Sequence, residues 1–259
     1  MSRPNNSPLE FQSLPDRKPI LCYVTDRRSL QAAAQGDSFE PLLEKIEQIA
    51  GSGVDWIQLR EKDLSARSYA TLARESLRRV SKQAAQATGP SRPLARILVN
   101  DRLDVAIAEN AAGVHLGENS LRVEDAKRLL AASQAAHPDQ AASVGQAAQC
   151  LRTMPQDFLL GVSCHSLASA RSAASAGASY IFFGPVFATP SKVAYGPPQG
   201  LDQLAQVCAS LKIPVLAIGG ITVENAPACL SAGASGIAAI RLFQDSPDLP
   251  ATLSALRRQ

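Results

Sequence analysis

The segment PVLAIGGITVENAPACLSAGASGIAAI (214–240) contains one complete strand–loop–helix–strand unit. Its two apolar runs, PVLAI (214–218) and GIAAI (236–240), show no alternation, which is typical of strands buried on both faces of a parallel sheet. Between them, TVENAPACLSAG (222–233) begins with a threonine and ends at a glycine, as helices commonly do. The phrase SAGAS before GIAAI also precedes YIFFG (180–184), so the unit predicts repeated βα elements.

The same alternation of short apolar runs and longer Ala- and Leu-rich segments extends over most of the chain. We interpret eight runs as strands: ILCYV (20–24), VDWIQL (54–59), ARILV (95–99), GVHL (113–116), FLLGVS (158–163), YIFFG (180–184), PVLAI (214–218) and GIAAI (236–240). Predicted helices include residues 65–85, 166–177, 201–211 and 222–233. Eight alternations predict an α/β fold, a single (β/α)8 TIM barrel. An open doubly wound sheet is the alternative, because sequence pattern alone does not reveal closure.

Three segments define the expected domain organisation. Residues 1–19 are polar and Pro-rich, and they lack the apolar core of a signal peptide, so we expect a loosely ordered N-terminal tail. Residues 20–259 form the TIM-barrel domain that carries the chemistry. Residues 131–157, rich in Ala and Gln, lengthen the fourth crossover, and we expect them on the surface with no chemical role.

Composition restricts the function classes. With 259 residues, 46% hydrophobic residues and a net charge of +3, the chain gives no reason to expect nucleic acid or a membrane as partner. No run of about 18 apolar residues occurs. Five cysteines without a C-x-x-C pair indicate reduced thiols and a cytoplasmic protein, and three histidines without helix-face spacing argue against structural zinc. The sequence leaves formation of a homo-oligomer open.

Charged and amide side chains follow the second and third predicted strands. In a parallel barrel the active site forms at the C-terminal ends of the strands. There, Arg60 and Lys62 supply positive charge, Gln58 and Asn100 supply amide donors, and Asp101 offers an oxygen to a hard cation such as Mg²⁺. This set predicts a site for a polyphosphate and magnesium. The alternative is a group of solvated loop charges joined by salt bridges.

Two later rim loops suggest a second anion site. The loop GPVFATPSK (184–192) offers Thr189, Ser191 and Lys192 as donors. After the seventh strand, Gly219 and Gly220 could bring backbone N–H groups against a phosphate, although a tight turn that needs positive φ is the alternative interpretation.

Histidines at the strand ends have two interpretations. His165 follows the fifth strand and could move a proton, but a hydrogen-bonded structural histidine is the more common case. His115 lies within a strand, where we expect it to pack inside the barrel or between strand and helix. Cys164 neighbours His165, and because successive residues of a strand point to opposite faces, we do not expect a Cys–His dyad.

Taken in order, the rim motifs resemble those of thiamine-phosphate synthases. The motifs are QLREK (58–62), VND (99–101), GVHLGE (113–118), GVSCHS (161–166), GPVFATPSK (184–192), PVLAIGGIT (214–222) and GASGIAAI (233–240). The resemblance extends from about Tyr23 to Phe243. It implies a TIM barrel that joins hydroxymethylpyrimidine pyrophosphate to thiazole phosphate with Mg²⁺ and releases pyrophosphate.

The resemblance also implies roles for individual residues. Residues of the pyrimidine pyrophosphate site would be Gln58, Leu59, Arg60, Glu61, Lys62, Asn100 and Ser163. Asp101 would be a magnesium ligand, and Lys192 would reach the leaving pyrophosphate. Residues of the thiazole phosphate site would be Thr189, Ser191, Gly219, Gly220 and Ile240.

Two positions depart from the family pattern. Ser120 stands where a second magnesium-binding aspartate is usual, so that Glu118 or Ser120 would have to complete the metal site. Arg241 stands where the thiazole phosphate site usually has a serine, and its guanidinium could grip a phosphate with two hydrogen bonds.

These departures resemble a sister family, the thiazole tautomerases of the TenI type. In that alternative His165 is catalytic and the QLREK and Asp101 cluster is a relict. The complete cluster favours the synthase, because an isomerase without a pyrophosphate substrate has little need of it. A non-catalytic barrel that senses a phosphorylated thiamine precursor is a third hypothesis.

Overall fold

A computed structural model of the chain describes residues 18–30, 38–86, 93–135, 157–189 and 197–258. Its eight parallel strands are β1 (Ile20–Val24), β2 (Trp56–Leu59), β3 (Arg96–Asn100), β4 (Gly113–Leu116), β5 (Leu159–Cys164), β6 (Tyr180–Phe183), β7 (Val215–Ile218) and β8 (Gly236–Ala239). The helices are α1 (Glu40–Ser52), α2 (Ala66–Gln86), α3 (Leu103–Ala108), α4 (Val123–Ala135), α5 (Leu167–Ala176), α6 (Gly200–Ser210), α7 (Ala226–Ser231), α8 (Arg241–Gln244) and α9 (Leu249–Arg257).

The sheet closes on itself, which confirms the (β/α)8 barrel and excludes the open doubly wound sheet. Strand β1 pairs in parallel with β2 on one side and with β8 on the other. On the closing side Ile20 lies opposite Gly236, and Cys22 lies opposite Ala238. The C-terminal ends of all eight strands therefore meet at one rim, where the polar residues after the strands were expected to gather.

The predicted strands agree with the observed ones to within two residues at either end. Strands β1 and β4 have the predicted bounds, whereas β2 begins at Trp56 rather than Val54. The backbone of Asp55, just before β2, still donates to the carbonyl of Leu21 and accepts from the N–H of Arg96, and its carboxylate accepts from the backbone N–H of Leu21 and from Arg257 of α9. The carboxylate of Asp55 thus joins the start of β1 to α9 at the bottom of the barrel.

The apolar core has two layers separated by the sheet. Alternate strand residues point outward and pack with the helices, such as Tyr23, Ile57 and Phe183. The intervening residues fill the barrel interior: Cys22, Val24, Trp56, Leu98, Tyr180, Phe182, Leu216 and Ala238. Both layers are buried, which explains why the strands are apolar throughout rather than alternating.

Parts of the predicted organisation lie outside the described residues. Helix α4 extends to Ala135, into the range 131–157, and residues 136–156 are outside the described part of the chain, as is most of the predicted tail 1–19. Among the described helices, none has both the length and the apolar character needed to cross a membrane.

Candidate active site

At the rim, the inward-facing polar residues of β2 and β3 are joined to each other. Gln58 and Asn100 are both buried, and the side-chain amide of Gln58 donates to Oδ1 of Asn100 at 2.9 Å. The Asn100 amide in turn donates to Oδ2 of Asp101 at 2.8 Å. The three residues form a fixed polar floor at the point where the two strands end.

Asp101 occupies an unusual backbone position. Its φ of 60° lies in the left-handed region, and its N–H donates to the carbonyl of His115 on the neighbouring strand at 2.9 Å. Non-glycine residues adopt this conformation rarely, and mostly where the surroundings fix it. The local turn directs the carboxylate across to the loop after β4 rather than into solvent.

That loop supplies two donors to the same carboxylate oxygen. The N–H of Gly117 lies 2.9 Å from Oδ1 of Asp101, and the hydroxyl of Ser120 also donates to it. Burial by itself raises the pKa of Asp101, but the hydrogen bonds from Ser120, Gly117 and Asn100 and the charge of Lys62 outweigh it, so the pKa is lower than usual. Asp101 is therefore an anion held in place by neutral donors.

The predicted cations of the rim, Arg60 and Lys62, differ in their ion pairing from arginines on the outside of the barrel. Arg74 and Arg79, on the outside of the barrel, form ion pairs with glutamates. Within the described residues, neither half-buried Arg60 nor exposed Lys62 has a carboxylate within salt-bridge distance. The salt bridges of the alternative interpretation are therefore absent for Arg60 and Lys62 in the described part of the chain, whereas the interpretation of both as solvated loop charges stays open.

Two hydroxyls that the sequence analysis did not single out hold these segments in place. Tyr69 of α2 donates to the carbonyl of Leu59 and accepts from the N–H of Asn100 at 3.0 Å, so one side chain links the ends of β2 and β3. Thr25, after β1, accepts from the N–H of Arg60 at 2.9 Å. Both residues lie in mixed polar segments, SARSYATLARES (65–76) and TDRR (25–28), so the sequence gives no signal for either contact.

Glu61 and Leu59 lie within the QLREK motif, but their side chains do not face the cations of the rim. Glu61 is 4% exposed, and its carboxylate accepts from the hydroxyl of Thr25 at 2.7 Å and from the guanidinium of Arg27 at 3.2 Å. Burial raises the pKa of Glu61, against the lowering effect of these two partners. Leu59 packs in the outer core. Contact of Leu59 and Glu61 with substrate stays a prediction, and with these side-chain positions it would be made by their backbone atoms.

The residues after β4 and β5 have distinct environments. Ser163 faces the barrel interior and is half-buried, with its Oγ 2.9 Å from Nε2 of buried His115. His165 is half-buried, and its Nδ1 contacts the carbonyl of Gly184. Cys164 packs outward in the core, away from His165, in agreement with the expected absence of a Cys–His dyad.

The Gly219–Gly220 turn packs tightly against the loop after β6. Both glycines have positive φ, 99° and 65°. A Cβ on Gly220 would lie 2.6 Å from the carbonyl oxygen of Ala188, and a Cβ on Gly219 would lie 2.6 Å from Pro185. The tight-turn interpretation is therefore correct, and the same turn brings two rim loops into contact, ending near half-buried Thr189.

The last rim segment begins where β8 ends. Half-buried Ile240 precedes Arg241, an exposed residue at the start of α8. Gln244 anchors this short helix, because its side chain accepts from the hydroxyl of Tyr23 at 2.7 Å and donates to Ser29 at 2.7 Å. Ser191 and Lys192 lie outside the described residues.

The donor set around Asp101 can be compared with the needs of Mg²⁺. Among the described residues there is no group of three or more His, Cys, Asp or Glu side chains able to hold a metal ion, and Glu118 is exposed. Magnesium often binds through one or two carboxylates, with waters and substrate phosphates completing the octahedron. Asp101, with Ser120 beside it, fits the first of these arrangements.

Comparisons with known proteins identify the family of this chain. The sequence model of the family described as thiamine monophosphate synthase matches residues 30–136 and 138–243. A relative from Geobacter sulfurreducens is 41% identical over 228 residues, 88% of each chain. The thiamine-phosphate synthase of Methanoculleus marisnigri is 38% identical over 80% of this chain and 82% of its own.

A solved structure agrees as well. The thiamine phosphate pyrophosphorylase from Pyrococcus furiosus superposes with a TM-score of 0.66 at 28% identity, covering 92% of this chain and 94% of that one. The family match and the relatives lead to one conclusion: the chain belongs to the thiamine monophosphate synthase family.

Proposed function

We propose that this protein is a Mg²⁺-dependent thiamine-phosphate synthase. It condenses 4-amino-2-methyl-5-(diphosphooxymethyl)pyrimidine with a thiazole phosphate and releases thiamine phosphate and pyrophosphate. The observation that carries the proposal is a pair of cations, Arg60 and Lys62, without carboxylate partners in the described residues, beside the Gln58–Asn100–Asp101 floor. Cations kept free of internal ion pairs at a strand-end rim are suited to a polyphosphate.

The reaction requires stabilisation of a leaving group rather than a protein nucleophile. The bond between the pyrimidine methylene carbon and the pyrophosphate oxygen breaks, and its electron pair leaves with pyrophosphate. The thiazole nitrogen supplies the electron pair of the new carbon–nitrogen bond, so no proton has to move. Arg60 and Lys62 bind the pyrophosphate and offset its growing charge, an effect worth several kcal/mol in a site that excludes water.

Asp101 is the residue that would hold the metal. Bound Mg²⁺ would neutralise further charge on the pyrophosphate. The carboxylate of Asp101 is already ionised and oriented by Gly117, Ser120 and Asn100, so the metal site needs little rearrangement. Ser120 would act through Asp101, or through a water of the metal shell, rather than as a carboxylate ligand.

On the thiazole side the backbone is the main recognition element. The positive-φ turn at Gly219 and Gly220, with Ile240 on the adjacent strand end, offers N–H groups to a phosphate. Arg241, at the same edge and exposed, replaces a hydroxyl donor by a guanidinium that can bind two phosphate oxygens at once.

The test is an assay of the purified chain with both substrates, with thiamine phosphate and pyrophosphate measured together over a Mg²⁺ titration. We expect both products in a 1:1 ratio and no product in excess chelator. Isomerisation of a thiazole phosphate carboxylate without condensation would support the tautomerase instead. Ligand binding without either reaction would support a sensor.

A further inference from the structure

Three polar side chains form a line inside the barrel, beneath the rim. Ser163 of β5 lies uppermost, and its Oγ is 2.9 Å from Nε2 of His115 on β4. The other ring nitrogen of His115, Nδ1, is 3.0 Å from the hydroxyl of Tyr180 on β6. His115 is 1% exposed and Tyr180 is fully buried, whereas Ser163 is half-buried, so the line runs from the interior of the barrel to its mouth.

Packing fixes the lower part of this line. The ring of Tyr180 lies over Gly161, where a Cβ would come within 2.0 Å of Cζ and 2.3 Å of the hydroxyl oxygen. The ring of Trp56 also packs against Tyr180, with ring centroids 4.7 Å apart, and the ring of Phe182 packs against His115, with centroids 4.2 Å apart. In a close-packed interior, these contacts leave the imidazole and the phenol one arrangement.

The hydrogen-bonding capacities of the three groups set the direction of the protons. Burial raises the pKa of Tyr180 well above its usual value, so its hydroxyl is neutral and has one proton to donate. Within the described residues, the hydrogen-bond partner of that hydroxyl is Nδ1 of His115. Tyr180 therefore donates to Nδ1, which accepts, and the ring proton of His115 is on Nε2, which donates to Ser163.

The consequence concerns Ser163. Because its oxygen already accepts from His115, its own proton is available to a group outside the line, and the barrel mouth lies on that side. We propose that His115 and Tyr180 are positioning residues that make Ser163 a hydrogen-bond donor to a ring nitrogen of the bound aminopyrimidine. This inference rests on the proposed function and deepens it, since it assigns the pyrimidine specificity to a line of three residues below the rim.

Binding measurements separate this role from catalysis. The probes are 4-amino-5-hydroxymethyl-2-methylpyrimidine, which has the ring without phosphates, and inorganic pyrophosphate, each titrated calorimetrically into the full chain. In Tyr180→Phe the imidazole loses the donor that fixes its tautomer. We expect the pyrimidine to bind about 5- to 10-fold more weakly, the loss of roughly one hydrogen bond, with pyrophosphate affinity unchanged.

Substitutions of His115 test the direction of the bond. Glutamine can place an amide N–H near the position of Nε2, so His115→Gln should retain most of the pyrimidine affinity, whereas His115→Leu should lose as much as Tyr180→Phe. Analogues in which one ring nitrogen is replaced by CH sharpen the assignment. There are two such analogues, one for each ring nitrogen, and the one that lacks the acceptor of the Ser163 bond should bind the wild type as weakly as the parent pyrimidine binds Tyr180→Phe. In Tyr180→Phe, this analogue and the parent pyrimidine should bind with equal affinity.

Tyr23→Phe is the matched control, because Tyr23 is a second buried tyrosine whose hydroxyl bonds to Gln244 on the outer face of the sheet. It should lose stability but keep its pyrimidine affinity. Wild-type affinity in Tyr180→Phe, or an equal loss for pyrimidine and pyrophosphate, would overturn the inference, as would a wild type that does not bind the pyrimidine. Failure of condensation in a protein that passes these binding tests would instead contradict the proposed function.

Discussion

The two halves of the barrel rim are built in different ways. At the ends of β2 and β3, the proposed site consists of side chains, Arg60, Lys62, Asn100 and Asp101, of which Asn100 and Asp101 are held by hydrogen bonds to each other and to the loop after β4. At the ends of β7 and β8, the proposed phosphate site is mostly backbone, at the Gly219–Gly220 turn, where both glycines have positive φ. The difference matters because side-chain chemistry can be changed by substitution without moving the loop, whereas a backbone site depends on how closely two loops pack.

The largest expected effect is a loss of turnover when a side chain at the ends of β2 and β3 is removed. Arg60→Ala should reduce turnover at least ~10²-fold, because it removes charge stabilisation of the leaving pyrophosphate. The KM for thiazole phosphate should change little. Arg74→Ala is the control, since Arg74 forms an exposed ion pair with Glu109 on the outside of the barrel. Steady-state kinetics of both variants give the comparison, and a near-normal rate for Arg60→Ala would contradict the assignment.

A second substitution addresses the metal. Asp101→Asn keeps the shape of the side chain but removes the charge that Mg²⁺ requires. We expect the Mg²⁺ concentration for half-maximal rate to rise about 10-fold, a difference of ~1.4 kcal/mol. Calorimetric titration of Mg²⁺ in the presence of pyrophosphate provides a readout independent of turnover. An unchanged titration would show that Asp101 is not a ligand.

The backbone half can be tested with two glycines that share a conformation. Gly220 and Gly200 both have positive φ, 65° and 76°, but a Cβ on Gly220 would meet Ala188 and Phe187, whereas a Cβ on Gly200 would meet no described residue within 4 Å. Gly220→Ala should weaken thiazole phosphate binding severalfold and lower the free energy of unfolding by about 2 kcal/mol. Gly200→Ala should cost about 1 kcal/mol and leave binding intact. Equal effects on binding would mean that loop contact at Gly220 is unimportant.

The smallest expected effect concerns the ion pair between Arg27 and Asp63, which joins the segment after β1 to the loop after β2. The guanidinium of Arg27 holds the pKa of Asp63 below its usual range. A depressed pKa means stability that is present above the unfolded pKa of about 4 and lost as pH falls through the folded value. Asp63→Asn should thus lower the free energy of unfolding by about 0.5 kcal/mol at neutral pH, a surface-pair magnitude. In denaturant titrations the difference should shrink below pH 4 and be smaller in an Arg27→Gln background, where Arg28 still pairs with Asp63; a difference that does not vary with pH would contradict this origin.

Sequence reasoning located the strands well because each is a short apolar run buried on both faces. It also located the side-chain half of the rim, because polar residues directly after such runs must lie at the strand ends. It did not find Tyr69 or Thr25, which support Leu59, Asn100 and Arg60 from other elements. Nothing local to a helix or a loop indicates which backbone group a hydroxyl will meet.

Glu61 is the converse case, a residue that the sequence assigns to the site but whose side chain the structure places elsewhere. Its place in QLREK, between Arg60 and Lys62, predicts a substrate contact, yet its carboxylate is buried against Thr25 and Arg27. Alternation along the chain turns it to the opposite side from its two neighbours. Which side faces the site depends on the path of the loop after β2, and only the packed structure defines that path.

By itself the sequence determined the parallel strands, the rim residues, the two family departures at Ser120 and Arg241, and the resemblance that led to the family. These are local properties, set by the burial of short apolar runs and by the polar residues directly after each run. The tertiary structure decided that the sheet closes, that Ser120 donates to Asp101, and that Ser163, His115 and Tyr180 meet inside the barrel. His115 and Tyr180 are 65 residues apart in the chain. Contacts at such separations result from strand register and side-chain parity, which no local pattern contains.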